Sequence, residues 1–224
     1  ERYAKVSGLH MNIDKTKAIW LGNKIASETR YMPHLKIEWN PTNFKILGIW
    51  FTADMRQCIE ANYAEKFSEI KALFKTWIKR NITPIGRVAV LKSLILSKLV
   101  YLWILLPNPP TDVINNFQKL CFNFVWKNKQ DRISRKTTIK NIQNGGLGIP
   151  SIREFIYSLK LSWIRKLMSG NYKWKSIIEE ICPLIQDLDK YGSSMPLNKY
   201  RLNAFWKDTF QAYKEYSSKV KIFE

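Results

Sequence analysis

The sequence predicts a mainly α-helical protein that begins with a small mixed α/β region. From Asp54 onward, apolar residues recur every three or four positions, which is the period of an amphipathic helix. The first 53 residues instead contain short apolar runs separated by glycine, proline and asparagine. Helix caps and proline stops separate the periodic stretches. We therefore divide the chain into residues 1–53, 54–142 and 143–224.

The first region combines a short helix with strands. A helical pattern leads to Gly8, and strand-like runs follow at residues 18–21, 35–39 and 44–52. Turn-forming residues separate these runs, as expected for short connected strands.

The second region contains three amphipathic helices. Asp54 and Gln57 form a capping pair for the first helix, and Thr83 followed by Pro84 opens the second. The third covers residues 111–126 and follows the prolines 107, 109 and 110. Their predicted apolar faces are Ile59, Tyr63, Phe67, Ile70, Phe74 and Trp77; then Ile85, Val88, Leu91, Ile95, Leu99, Leu102 and Leu106; then Val113, Phe117, Leu120 and Phe124. Short loops between such helices indicate a helical bundle.

The third region is also helical. A glycine-rich break ends at Pro150, and Ser151 with Glu154 predicts a capping box for a helix to about residue 169. Residues 174–181 and 199–221 follow the helical period as well. The apolar face of the last helix is Leu202, Phe205, Trp206, Phe210 and Tyr213.

Composition indicates a folded, basic protein. A formal net charge of +19 over 224 residues predicts a polyanionic partner. The hydrophobic fraction of 46% excludes a disordered basic tail. The three cysteines are far apart and favour reduced thiols in an intracellular compartment, nuclear or cytoplasmic. The apolar run at 99–106 is shorter than the ~20 residues of a spanning helix, so no membrane partner is expected. A first residue Glu1, without Met, suggests a fragment.

Residues 124–150 form the strongest candidate binding segment. Aromatic residues at 122, 124 and 126 precede six basic residues and the single acid Asp131. Aromatic faces beside cations suit a nucleic-acid backbone and its bases. The basic residues are Lys127, Lys129, Arg132, Arg135, Lys136 and Lys140.

Residues for catalysis or metal binding are not predicted. Phosphoryl transfer needs clustered carboxylates for two metals, but none of the seven aspartates forms a pair on a predicted strand turn. Asp187 and Asp189 come closest, and a solvated turn is the favoured interpretation. The run at 145–150 ends in proline rather than in the GK[ST] of a phosphate-binding loop.

Four short motifs, in order, resemble reverse transcriptases of non-LTR (long interspersed element) retrotransposons over residues 1–165. Residues 7–12 with Lys15-Thr16 are similar to the segment after the metal-binding aspartates, and 44–49 to the primer-grip hairpin. Residues 86–101 are similar to the thumb helix. Residues 124–128 and 145–150 resemble the region beyond it.

The resemblance implies the end of a polymerase palm followed by a helical thumb that clamps an RNA–DNA hybrid. The implied partners are RNA template, DNA primer and an upstream palm and fingers. The parent enzyme is expected to use Mg²⁺, and no cofactor is expected in this chain. On this basis the expected nucleic-acid-binding residues are Arg87, Lys92, Lys127, Lys129, Arg132, Arg135 and Lys136.

Two further sites follow from the resemblance alone. Lys15 would lie near the phosphates of the incoming nucleotide, with a solvated turn lysine as the alternative. Leu47, Gly48 and Ile49 would place the primer-grip hairpin against the primer end, with a plain strand turn as the alternative. Ile46 stands where the family usually has tyrosine.

The catalytic aspartates of the family would precede residue 1, so this chain alone is not expected to polymerise. Many relatives end in a Cys/His cluster that this chain lacks, and residues from about 170 onward match no motif of the family. Two alternatives are open: a stand-alone nucleic-acid-binding module and a remnant without selected function. An upstream reading frame that encodes the aspartates, or one broken by stop codons, would distinguish them.

Overall fold

The computed structural model describes residues 2–20, 30–31, 33–34, 36–39, 43–52 and 54–220. It is 67% helix and 6% strand, which confirms the mainly α-helical prediction. The chain forms two compact units, residues 1–62 and 63–224. The division falls inside a helix, nine residues after the predicted boundary at 53, and the predicted helical regions from residue 63 onward belong to the second unit.

The first unit contains the strands. A parallel pair joins β1 to β2, and an antiparallel hairpin joins β3 to β4. The run at 44–52 thus supplies both strands of a hairpin, while Leu21 and Leu35 of the other predicted runs lie outside the described residues. The elements are α1 (Arg2–Ser7), a 3₁₀ turn (Ile13–Lys15), β1 (Lys17–Ala18), β2 (Glu38–Trp39), β3 (Asn43–Ile46) and β4 (Ile49–Thr52).

A buried asparagine fixes the hairpin to helix α2 (Met55–Ile78). The Asn62 side chain accepts a hydrogen bond from the Trp50 amide at 2.9 Å and donates one to the Trp50 carbonyl at 2.8 Å. Asn62 is 2% exposed, so these bonds satisfy a buried amide. The open edge of β4 is therefore paired by a side chain instead of another strand.

Helix α2 begins at its predicted cap. Asp54 accepts a hydrogen bond from the Arg56 amide at 2.8 Å, although no return bond from Gln57 is present among the described residues. Tyr63, Ile70 and Phe74 are buried on the predicted face. The periodicity therefore identified this helix correctly.

The second predicted helix is continuous over Pro84–Leu105. It consists of α3 (Pro84–Val90), a π-helical segment (Leu91–Leu96) and α4 (Ser97–Leu105). The Thr83 hydroxyl accepts from the Gly86 amide at 3.2 Å, which confirms the cap. Ile85 was expected on the buried face but is 56% exposed, because the first turn precedes the packed part of the helix.

This helix is the one among the described residues that is long and apolar enough to cross a membrane. It exceeds the apolar run at 99–106 because the three segments join without a break. Val88, Leu91, Ile95 and Leu99 are buried in the core of the second unit. A core helix has the same length and composition, so the helix is weak evidence for a membrane span.

Helix α5 (Thr111–Val125) presents a different face from the predicted one. Phe117 and Phe124 are buried as expected, but Leu120 is 39% exposed and Cys121 takes the buried position. A stripe that advances from 117 by four and then by three residues passes through 121 rather than 120.

Helices α6 (Arg135–Ile139) and α7 (Ile152–Ser169) follow, separated by a 3₁₀ turn (Ile142–Asn144). The predicted capping box at Ser151 is wrong, since Ser151 makes no side-chain cap bond. Gln118 from α5 takes that role: its Oε1 accepts from the Ile152 amide at 2.7 Å, and its Nε2 donates to the Pro150 carbonyl at 3.3 Å.

The C-terminal part packs a second hydrophobic cluster. It includes Leu167, Ile178, Trp206 and Phe210. The elements are α8 (Lys173–Ile181), a 3₁₀ helix (Pro183–Asp187), α9 (Leu188–Tyr191), two 3₁₀ turns (Gly192–Ser194 and Leu197–Lys199) and α10 (Ala204–Val220). The last helix begins at Ala204 rather than at the predicted 199, because Asn203 caps it by accepting from the Trp206 amide at 3.0 Å.

Candidate nucleic-acid interface

A strained turn after α5 presents the basic segment. Lys127 and Asn128 both have φ of 57°, a left-handed conformation that costs energy in residues with a Cβ. The Asn128 amide donates to the Asn123 carbonyl at 2.8 Å, and the Lys129 amide to the Trp126 carbonyl at 3.0 Å. These bonds and the buried Trp126 hold the turn, so Lys127 and Lys129 are exposed beside each other.

This turn and the loop before α3 enclose a cleft of about 210 Å³. Its lining contains four cationic side chains and no carboxylate. We call it the basic cleft. It is lined by Asn81, Ile82, Pro84, Arg87, Val125, Trp126, Lys127, Lys129, Gln130 and Arg132.

The exposed cations of the basic cleft lack ion-pair partners. Within the part of the chain that the structure describes, no carboxylate lies within 4 Å of Lys127, Lys129 or Arg132. Like charges gathered without acids repel one another, and an external polyanion relieves that repulsion. The cleft is thus electrostatically suited to phosphate groups.

Arg87 does not stand on the helix surface as expected. It is 3% exposed, and its guanidinium donates to three backbone carbonyls: Ile82 at 3.2 Å, Phe124 at 3.1 Å and Arg80 at 3.2 Å. Burial lowers the pKa of Arg87, although an arginine remains charged. Arg87 therefore ties the two loops together beneath the basic cleft instead of reaching out to a ligand.

Arg135 and Lys136 lie on α6 and do not line the basic cleft. The Arg135 Nε donates to Asp131 Oδ2 at 2.7 Å, and its guanidinium lies 4.9 Å from the Phe122 ring centroid. Arg135 therefore has an acidic partner within the described part of the chain, unlike Lys127, Lys129 and Arg132. Lys136 is exposed on the same short helix.

Lys92 lies at the glycine-rich turn. A Cβ added to Gly148 would stand 3.4 Å from the Lys92 ammonium, so the lysine reaches over this turn. Gly146 packs so closely that its Cβ would lie 1.9 Å from the Lys140 carbonyl oxygen. Gly146 thus serves close packing against the end of α6.

The hairpin turn in the first unit has an unusual backbone. Leu47 and Gly48 have φ of 49° and 85°, the signs required at the two central positions of a tight hairpin turn. Leu47 is 83% exposed, whereas Ile49 is buried. The expected primer-grip residues therefore form one turn with an exposed apolar tip, and Ile46 beside it is half exposed.

Lys15 ends the 3₁₀ turn of the first unit, where its amide donates to Asn12 Oδ1 at 3.1 Å. Its side chain is exposed. This position fits a solvated turn lysine and leaves the ammonium free to meet a phosphate.

The helical period of α7 marks one functional candidate, Lys160, outside the predicted sites. Lys160 falls on the buried stripe of α7 between Ile156 and Ile164 and is completely buried. A lysine within an apolar stripe marks a buried ionisable group. Trp126 lines the basic cleft, whereas the sequence predicted it only as a member of an aromatic cluster.

Metal-ligating side chains do not cluster in the described part of the chain: no group of three His, Cys, Asp or Glu residues could hold an ion there. Asp187 forms an exposed ion pair with Lys190 at 2.5 Å, as expected for a surface turn. The side chain of Asp189 lies outside the described residues. No known protein-family model matches this chain.

Proposed function

We propose that this chain is the C-terminal part of a reverse transcriptase of a non-LTR retrotransposon and that it holds RNA–DNA hybrid through the basic cleft. The observation that carries the binding proposal is the set of three exposed cations, Lys127, Lys129 and Arg132, that line one cleft without a carboxylate. Phosphate contacts dominate the affinity of such surfaces and give little sequence specificity. The reverse transcriptase assignment rests on the order of the four motifs.

In this proposal residues 1–53 are the end of the palm and carry the primer grip, and residues 54–142 are the thumb. The turn at Leu47 and Gly48 would contact the primer end through its exposed tip. Lys15 would face nucleotide phosphates. The aspartates that bind Mg²⁺ would be supplied by an upstream palm, and hybrid binding is the part of the activity that belongs to this chain.

The exposed cations of the basic cleft provide the test. We would reverse Lys127, Lys129 and Arg132 to Glu and measure binding of RNA–DNA hybrid across a salt series. Each neutralised phosphate contributes about 0.9 to the slope of log K against log salt, so three lost contacts should reduce the slope by about 3. Affinity should fall for every sequence alike.

A matched control separates the cleft from the overall charge. Lys199, Arg201 and Lys207 are exposed, do not line the cleft and give the same change in net charge when reversed to Glu. The control should weaken binding slightly at low salt and reduce the slope much less than the cleft variant, because salt screens its longer-range attraction. If both variants reduce the slope equally, the basic cleft is not the binding surface.

A further inference from the structure

An array of aromatic rings runs through the C-terminal part of the second unit to its surface. Trp174 stacks on Trp206 with 5.7 Å between centroids and 28° between planes, and Trp163 meets both edge-on. Tyr172 stacks on the outer side of Trp174 at 5.5 Å and 16°. The array is buried at Trp206 and ends in Tyr172, which is 45% exposed.

The Tyr172 ring is held in a fixed orientation. One face rests on Trp174, and one edge rests on Gly170, where an added Cβ would lie 1.9 Å from the Tyr172 Cε2 atom. Gly170 is in turn bonded to the end of α7, since its amide donates to the Lys166 carbonyl at 3.0 Å. Because Trp174 covers one face of the ring, the second face is the one left to contact a ligand.

Lysines lie close to Tyr172 along the chain. The Lys166 ammonium lies 4.5 Å from the Trp163 ring centroid, and the neighbouring Lys173 is exposed. Lys175, the next lysine along the chain, forms an ion pair with Glu179 at 3.8 Å. An exposed aromatic ring with a neighbouring exposed lysine, Lys173, suits a nucleotide, which joins a flat base to a phosphate.

We propose that the exposed face of Tyr172 is a stacking platform for an unpaired base of single-stranded nucleic acid. Every base has a π-face, so the platform accepts any of them. Bases within a duplex or hybrid are already stacked and paired, so they cannot lie on Tyr172 without being extruded. This site is separate from the basic cleft and does not depend on the reverse transcriptase assignment.

Three variants of the 224-residue chain test the platform. Tyr172→Ala removes the ring, and Tyr172→Leu keeps an apolar contact with Trp174 but lacks a flat face. Tyr101→Ala is the matched control, since Tyr101 is 43% exposed and has no ring contact among the described residues. The probes are a fluorescent oligothymidine and an RNA–DNA hybrid, measured by anisotropy.

Both Tyr172 variants should bind oligothymidine about tenfold more weakly than the parent, with hybrid binding unchanged. The Tyr101 variant should match the parent on both probes. Normal oligothymidine binding by both Tyr172 variants overturns the platform, as does an equal loss in the Tyr101 variant. If the basic cleft did not bind nucleic acid, the measurements with RNA–DNA hybrid would show it instead.

A direct readout uses the unmodified chain and does not depend on variant folding. An oligothymidine carrying 5-iodouracil crosslinks on irradiation to an aromatic ring on which the modified base stacks. Peptide mapping should locate the crosslink at Tyr172. A crosslink confined to other residues would overturn the proposal.

Discussion

Lys160 should make the stability of the second unit depend on pH. Its side chain is 0% exposed, and its Nζ donates to the Leu106 carbonyl at 2.5 Å and lies 4.2 Å from the Phe205 ring centroid. Burial lowers the pKa of Lys160 to about 7, against a smaller opposing effect of the Asp208 carboxylate. The unfolded chain has the ordinary lysine pKa of 10.5.

The direction follows from which state binds more protons. Between pH 7 and 10.5 the unfolded lysine is protonated and the folded one is largely neutral, so folding releases a proton and stability rises with pH. The free energy of unfolding reaches its full value above pH 10.5, the pKa of Lys160 in the unfolded chain. It decreases as the pH falls toward about 7, the pKa of Lys160 in the folded protein. From about pH 6.5 to about pH 8.5, the free energy of unfolding should rise by about 2 kcal/mol.

The assay is urea denaturation of the parent chain and of Lys160→Met across that range. The three buried cysteines and Tyr63 have raised pKa values and oppose the effect at higher pH, but both proteins contain them. The difference between the two proteins therefore isolates Lys160. Parallel curves with no difference in slope would refute a neutralised buried lysine.

Three other substitutions test the packing. Arg87→Met should lower the free energy of unfolding by about 3 kcal/mol, because three carbonyls lose a charged donor. In urea denaturation the control Lys129→Met should show no such loss. An equally small loss for both variants would place Arg87 on the surface. Leu47→Asn should stabilise the first unit by about 1 kcal/mol, since asparagine tolerates the left-handed turn better. Hydrogen exchange should then show stronger protection of the hairpin amides. Unchanged protection would count against a strained turn. Gly146→Ala should lower the free energy of unfolding by about 3 kcal/mol, because the added Cβ clashes with the Lys140 carbonyl. Gly145→Ala should lower it by about 1 kcal/mol, because Gly145 has open space around it. Similar shifts in melting temperature for the two variants would contradict this packing.

Local signals predicted the helices well. The Thr83–Pro84 start and the long face of α2 depend on residues within a few positions of each other, and both are confirmed. The left-handed hairpin turn at Gly48 is likewise consistent with the local sequence.

The errors arose where a distant residue decides the local structure. Gln118 caps α7 from 34 positions away, so the Ser151 pattern was misleading. Arg87 is buried because carbonyls from two loops converge on it, including one 37 residues further along the chain. Neither partner can be identified from spacing along one helix.

The candidate site was predicted in part. Lys127, Lys129 and Arg132 do lie together at one cleft, because a short turn after α5 keeps sequence neighbours close in space. Arg135 was included for the same reason, but the i+4 spacing to Asp131 gives it an internal partner. Asp131 precedes the helix, which begins at Arg135 after the cap residue Ser134, so the helical period does not predict this pairing.

The most direct test of the account is binding of the purified chain to RNA–DNA hybrid, DNA duplex and single strands across a salt series. The account predicts a steep salt dependence in every case, with the hybrid bound more tightly than the duplex. Equal weak binding to all of them, or none, would contradict it and would make the charge of the basic cleft ordinary surface charge.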